Sequence, residues 1–197
     1  MRKKICLVTG GTGDIGKAIC SRLVDESYTV ILAGITAEQA DAACQELECG
    51  NGTLASAVID VTDEEICNTA VAGILETHGQ LDCLVNCAGI SYIAPVLLGK
   101  VKEWKKVLEV NTLGAFIISK AVIRPMIRAR SGRIVHIGSI SADVGAPFNA
   151  IYAASKAGIA GLVRSFALEV AAAGITVNAV QPGYVKTKLF RQTQGAR

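Results

Sequence analysis

Six short, β-branched apolar runs recur along this chain, each separated from the next by a longer helical pattern, and that alternation admits few folds. The runs cover 4–9, 29–34, 53–59, 81–86, 133–138 and 175–181, with helical stretches at 15–27, 37–49, 63–79, 102–130 and 152–173. Continuous apolar strands joined through helices pair in parallel and are covered on both faces. The expected fold is therefore α/β: a doubly wound parallel sheet in a three-layer αβα arrangement, as a single domain over 1–197. Local signals agree. Asp63, Glu64 and Glu65 open the third helix with acidic residues, and Gly174 follows the last long helix as a stop. Such sheets bind ligands beyond the carboxyl ends of their strands, so chemistry is sought just after each run.

Composition narrows the function. About half of the residues are hydrophobic (51%) and 19% are charged, enough for a sizeable core and unlike a disordered chain. The net charge of +3 is spread out, with no concentrated basic face of the kind nucleic acid requires. The basic start Arg2-Lys3-Lys4 is followed by an apolar run that ends at Gly10, too short for a signal peptide. Every longer apolar stretch is interrupted, so no membrane span is expected and the chain reads as cytoplasmic. The seven cysteines (Cys6, Cys20, Cys44, Cys49, Cys67, Cys83 and Cys87) form no CxxC pair and sit mostly in apolar patterns. They read as small buried hydrophobes in a reducing compartment, with no metal site.

Between the first strand and first helix lies Thr9-Gly10-Gly11-Thr12-Gly13-Asp14-Ile15-Gly16. Glycines there permit a sharp turn and close approach of a pyrophosphate to main-chain N–H groups, at a helix end that favours anions. The strand–turn–helix context makes this a dinucleotide site rather than a structural turn. Asp14 is expected to cap the helix start and complement its dipole, although a carboxylate turned inward would repel the pyrophosphate. After the second strand, Gly34-Ile35-Thr36-Ala37 offers no acid to grip a ribose 2′-hydroxyl before Glu38. NADP(H) is favoured for that reason, and NAD(H) is also admitted because no arginine stands there either.

A second cluster carries acid/base chemistry. Tyr152 and Lys156 are four residues apart at a helix start and share one face. A neighbouring ammonium favours the phenolate, bringing a phenol of pKa ~10 toward working range. Ser139 follows the fifth run, where its hydroxyl can hold a carbonyl oxygen, and Asn86-Cys87-Ala88-Gly89 follows the fourth. Asn111, between Val110 and Leu113 in a helical pattern, is a polar residue that needs a reason.

With these motifs the chain, from residue 4 to about 190, resembles the short-chain dehydrogenase/reductase family. The likeness is strongest to its 3-oxoacyl-[acyl-carrier-protein] and acetoacetyl-CoA reductases. The resemblance implies a Rossmann-like fold and a catalytic set of Asn111, Ser139, Tyr152 and Lys156. Tyr152 supplies the proton, Lys156 also bonds the nicotinamide ribose, and Asn111 holds a water in the relay. It further implies cofactor contacts from Gly10, Gly11, Thr12, Gly13, Asp14, Ile15 and Gly16 in the turn, and from Asp60 and Val61 beside the adenine. Asn86, Ala88 and Gly89 match the NNAG motif, with Cys87 for its second Asn; Pro182, Gly183, Val185 and Thr187 belong to a PGxxxT segment beside the nicotinamide. The implied reaction is NAD(P)(H)-dependent reduction of a 3-oxoacyl thioester, with acyl carrier protein as a partner and a homodimer or homotetramer as the assembly. Reduction of another ketone, sugar or polyol, and cofactor binding without catalysis, are the alternatives.

Three departures from the family pattern are visible. Asp14 stands where the pattern has glycine. Of two basic residues near the active-site mouth that dock carrier protein, Arg130 matches one while Ala173 occupies the other position. The family's usual last parallel strand has no counterpart before residue 197. Elsewhere plain readings are preferred: His136 as a satisfied core histidine, His78 as a dipole complement, Arg124, Arg128, Arg130 and Arg133 mainly as a solvated helix end, and Trp104 as core filler or a subunit anchor.

Overall fold

The computed structural model describes residues 2–47 and 50–194. Six strands, β1 Ile5–Thr9, β2 Thr29–Gly34, β3 Thr53–Val58, β4 Cys83–Asn86, β5 Gly132–Ile137 and β6 Ile175–Val180, form one sheet in the order β3-β2-β1-β4-β5-β6. Every neighbouring pair is parallel. The strand order reverses between β1 and β4, which is where a doubly wound sheet opens a crevice. The fold is the Rossmann-like arrangement that the alternating pattern implies.

Alternation along each strand divides the core into two layers. Leu7, Ile31, Ala33, Leu84, Ile134 and Val177 face helices α3 (Glu64–His78), α5 (Gly114–Ala129) and α6 (Ala150–Val170). Cys6, Val8, Val30, Leu32 and Val85 face α1 (Asp14–Asp25) and α2 (Ala37–Glu46). Cys6, Cys20 and Cys67 are buried in these layers, as small apolar side chains are, and burial pushes the Cys20 thiol up to about 12 and that of Cys67 to about 11. Cys49 lies outside the described residues.

The helix expected over 102–130 is three pieces: α4 (Val101–Leu108), a wider turn at Glu109–Leu113, and α5. In that turn the Gly114 N–H reaches the Glu109 carbonyl, five residues back, so one extra residue is accommodated and Asn111 is turned into the interior. Expected β4 starts two residues early because Leu81 and Asp82 belong to β1's neighbourhood without joining the ladder. The Asp82 N–H bonds Ile5 O at 3.0 Å, while the Asp82 carboxylate accepts from Ile5 N at 2.8 Å. Helix α7, Lys188–Gln194, has no counterpart in the sequence reading. Asp63 caps α3 by accepting from Ile66 N at 2.9 Å, and Gly79 and Gly174 end their helical segments with φ of 73°. No helix among the described residues is long and apolar enough to cross a membrane.

A buried polar row links the carboxyl ends of three strands. Thr9, Asn86 and His136 are register partners on β1, β4 and β5. The Thr9 hydroxyl donates to Asn86 Oδ1, Asn86 Nδ2 meets His136 Nδ1 at 3.3 Å, and His136 Nε2 meets Ser119 Oγ at 3.2 Å. Ser119 in turn donates to Ala115 O at 2.7 Å. His136 is the satisfied core histidine expected: it is fully buried, and burial pulls its pKa down to about 4, with the Lys156 charge acting in the same direction. The unfolded chain takes up this proton near pH 6.5. Stability present above that pH should therefore fall by ~3 kcal/mol as the solution is acidified through pH ~4. Urea unfolding of the parent and of His136→Gln across this range checks it; an equal acid loss in both would remove His136 from the account.

Candidate active site at the strand ends

The glycine turn is shaped mainly by its own packing. Gly10 has φ of +61°, and a Cβ there would sit 2.7 Å from the Ala88 nitrogen, so the turn lies directly against the chain leaving β4. A Cβ on Gly16 would fall 2.3 Å from Gly10 O, and one on Gly11 2.6 Å from Leu32 Cγ. Gly13 meets only Gly10 O, at 3.4 Å, and faces open space. Thr12 leans on the end of β2, its Cγ2 2.8 Å from a Cβ built on Gly34. The helical ladder begins with Lys17 N to Gly13 O at 2.8 Å, so the amides of Asp14, Ile15 and Gly16 lie in the first turn ahead of it. First-turn amides with a dipole behind them suit a phosphate, and the open side at Gly13 leaves room for one.

Asp14 does not cap its own helix. The residue at the cap is Gly13, which has no side chain, and Asp14 is already the first helical residue. A cap's side chain accepts from the amide two or three residues on, and no side chain does so at this helix start. Its carboxylate instead accepts from Lys188 N at 2.5 Å, at the start of α7. Asp60 and Val61, after β3, are spent locally. The Asp60 carboxylate accepts from Thr62 N (2.9 Å) and Thr62 Oγ1 (2.7 Å), and Val61 packs against Gly114 at the start of α5.

Around β4 and β5 the predicted residues converge. Ser139 follows β5 and accepts from Ser141 N at 3.1 Å. Tyr152 and Lys156 stand on α6, with Lys156 Nζ 5.6 Å from the Tyr152 ring centroid. Lys156 is 5% exposed, and its ammonium donates to Ile137 O at 2.9 Å. Burial lowers its pKa to about 8, opposed by Cys87. Burial raises the Tyr152 phenol above its ordinary value, while a hydrogen bond with Ser139 acts the other way. The expected downward shift is not the net direction of the phenol, because burial outweighs the hydrogen bond with Ser139.

Asn111 is wholly buried behind this cluster. Its Oδ1 accepts from Ile90 N at 2.8 Å, and its Nδ2 donates to Ile90 O and to Ser155 Oγ, each at 2.9 Å. Ser155 then donates to Tyr152 O at 2.7 Å. Ser155 was not singled out from the sequence, yet it lies three residues after Tyr152 on the same helix face, and that spacing was the available signal. Gly89 closes the group: a Cβ there would be 3.2 Å from Asn111 Oδ1 and 3.5 Å from Lys156 Nζ.

A cavity of about 280 Å³ joins these parts, walled by Gly89, Ser139, Tyr152, Lys156, Pro182 and Gly183 among others. Ile15, Val185 and Thr187 also reach it, whereas Asn111, Asp60 and Val61 do not form its wall. Cys87, in the place of the second motif asparagine, lines it as a thiol that burial pushes up to about 12. The Ile140 N–H holds Pro182 O at 3.0 Å, and Thr187 Oγ1 accepts from Phe190 N at 3.1 Å. Arg130 lies elsewhere. It precedes β5 while Ser139 follows it, so the strand's length, ~20 Å, separates Arg130 from the cavity within this chain. Gly174 packs on the Arg130 carbonyl, which puts Ala173 at that same far end. Among the described residues no cluster of three His, Cys, Asp or Glu side chains is placed to hold a metal.

A glycine turn at the strand-order reversal, next to a cavity carrying a tyrosine, a lysine and a serine, defines a nucleotide-dependent oxidoreductase of Rossmann architecture. Comparison with known proteins agrees: the chain belongs to the short chain dehydrogenase family, whose model it matches over residues 4–197, and it is an NAD(P)-dependent oxidoreductase. It is 37% identical over 186 residues to 3-oxoacyl-[acyl-carrier-protein] reductase of Thermotoga maritima, covering 94% of this chain and 76% of that one. The Haemophilus influenzae protein of the same name is 39% identical over 190 residues, covering 96% and 77%. Among solved structures, NAD+-bound xylitol dehydrogenase superposes with a TM-score of 0.93 at 36% identity, covering 98% of this chain and 75% of that one. A variant of ElxO with NADPH bound superposes with a TM-score of 0.92 at 31% identity, covering 98% and 79%.

The glycine contacts give a contrast that unfolding measurements can read. Gly16→Ala sets a methyl against backbone that cannot swing aside and should cost ~2 kcal/mol or more, whereas Gly13→Ala should cost under ~1 kcal/mol. Equal stability of the two variants in urea would show that the turn is not close-packed as described.

Proposed function

We propose that this chain reduces the keto group of a 3-oxoacyl thioester with NADPH, using Tyr152 as the proton donor. The observation that carries the reading is the convergence of Ser139, Tyr152 and Lys156 on one cavity, beside the glycine turn and the 182–187 segment. Hydride transfer is the chemistry the nicotinamide supplies when bound; the rest falls to the chain. Ser139 donates a hydrogen bond to the substrate oxygen, and Tyr152 donates its proton as that oxygen gains charge. A phenol held above its ordinary pKa is protonated throughout the neutral range, which suits a donor in the reducing direction. The Lys156 ammonium stabilises the phenolate left behind and reaches the ribose of the nucleotide. Both amide hydrogens of Asn111 are committed, so this residue works by fixing Ile90 and Ser155, and through Ser155 the backbone of Tyr152.

The amides of Asp14, Ile15 and Gly16 hold the pyrophosphate, and Asp60 and Val61 flank the adenine. Asn86, Ala88 and Gly89 support the cofactor along β4, with Pro182, Gly183, Val185 and Thr187 along the nicotinamide. The absence of an acid at Ile35 and Thr36 supports NADP(H) over NAD(H), since an acid there would repel a 2′-phosphate. The names of the two reductase relatives support the 3-oxoacyl substrate. Acyl carrier protein as the thioester's carrier, a homodimer or homotetramer, and a cytoplasmic location belong to the same reading. Reduction of a sugar or polyol is the second reading, favoured by the likeness to xylitol dehydrogenase.

Mixing the protein with NADPH and acetoacetyl-CoA should consume the reduced cofactor, and activity on xylulose-type sugars alone would favour the second reading. Tyr152→Phe should lower kcat by about 10²- to 10⁴-fold with cofactor binding kept; retained turnover would remove Tyr152 as the acid. The rate of reduction should also fall as pH rises through about 8, where Lys156 loses its charge. A profile flat to well beyond that pH would show that the ammonium is not required.

A further inference from the structure

Asp14 departs from the glycine of its motif, and its carboxylate reaches 174 positions along the chain to accept the Lys188 N–H at 2.5 Å. The segment between, 182–187, is irregular and forms the wall of the candidate cavity. It has open space on both sides. On one lies the cavity with Tyr152 and Lys156, and on the other an apolar groove of about 530 Å³ against the outer face of α1, lined by Ala18, Ile19 and Leu23. Ile15, Pro182, Val185 and Thr187 border both. A Cβ added to Gly183 would meet nothing within 4 Å, and Tyr184 is 81% exposed. A strip of chain with open space on either face is held by few packing contacts, the Tyr184 ring against Phe190 and the buried Thr187 among them.

Hydrogen bonds at its two ends therefore set its position. At the start, Ile140 N holds Pro182 O at 3.0 Å. At the end, Thr187 stands just before α7, its hydroxyl taking Phe190 N, and the next amide, Lys188 N, goes to Asp14. The Asp14 bond ties this end to α1, beside the phosphate-binding turn. The carboxylate lies between the starts of α1 and α7, and the partial positive charge at a helix start favours it there.

We propose that Asp14 is a positioning residue: it anchors the far end of the 182–187 wall to the first turn of α1 and so presets the nicotinamide side of the cofactor site. The proposal rests on the dinucleotide reading of that site. It assigns the aspartate a constructive part, in contrast to simple repulsion of the pyrophosphate, and the two accounts predict opposite signs.

Hydrogen exchange at the Lys188 amide and NADPH affinity by fluorescence titration, measured on the full chain, separate them. Asp14→Ala removes the acceptor; it should speed exchange at Lys188 and weaken NADPH binding, each by about tenfold, the scale of one lost charged hydrogen bond. Asp14→Asn keeps an acceptor oxygen at that place and should recover most of both. The effect should appear in KM for NADPH more than in kcat. Unchanged exchange at Lys188 in Asp14→Ala would overturn the anchor, as would tighter NADPH binding in both variants, which is the signature of a charge barrier. If the parent chain bound neither NADPH nor NADH, the proposal would fall with its premise. That outcome is told apart by exchange at Lys188, which reports the tie without any nucleotide.

Discussion

The bond from Lys156 Nζ to the Ile137 carbonyl organises the region in which chemistry is expected. It joins the end of α6's second turn to the last residue of β5, two positions before Ser139. Tyr152 lies one helical turn before Lys156, so once the ammonium is fixed, the phenol and the Ser139 hydroxyl are held in a fixed relation. The cost is desolvation of a cation, visible in a pKa drawn down to about 8. A single strong hydrogen bond to a buried carbonyl offsets part of it, and the proximity of Gly89 shows how little space is left for other arrangements.

Behind that bond, buried polar groups are satisfied in continuous runs rather than in isolated pairs. Thr9, Asn86, His136 and Ser119 link three strands to α5, while Asn111 and Ser155 link the chain after β4 to α6. Among the described residues no buried side-chain nitrogen or oxygen lacks a partner. A fully satisfied network in a low-dielectric interior resists small displacements, because any shift leaves a donor or acceptor stranded. The strand ends of β1, β4 and β5 are thus rigid, and the opposite side of the cavity, formed by 182–187, is the part whose position depends on a few bonds at its ends.

The two halves of the site differ in how their positions are specified. The side bearing Ser139, Tyr152 and Lys156 is fixed by core packing beneath α6, with Ile151, Ile159 and Val163 buried around it. The glycine turn is fixed by steric exclusion, since a methyl group at Gly10, Gly11 or Gly16 collides with backbone or with Leu32. Neither mechanism reaches the 182–187 segment, where exposed Tyr184 and unconfined Gly183 mark a surface shaped by hydrogen bonds instead.

The strands and most helices were legible in the sequence because a parallel sheet covered on both faces imposes continuous apolar runs, and 29–34 is β2 to the residue. The glycine turn and the Tyr152–Lys156 pair were legible too, because both are short-range patterns whose spacing fixes their geometry. Partners remote in the chain were decided only by the tertiary structure. No local rule foretells that Asp14 meets Lys188, that Asn111 turns inward through one widened helical turn, or that Arg130 sits a strand's length from the site. The same holds for the phenol of Tyr152: spacing placed a cation near it, but burial determined which way its pKa moved. Periodicity is a property of neighbouring residues, whereas desolvation and long-range hydrogen bonds depend on what the folded chain brings alongside.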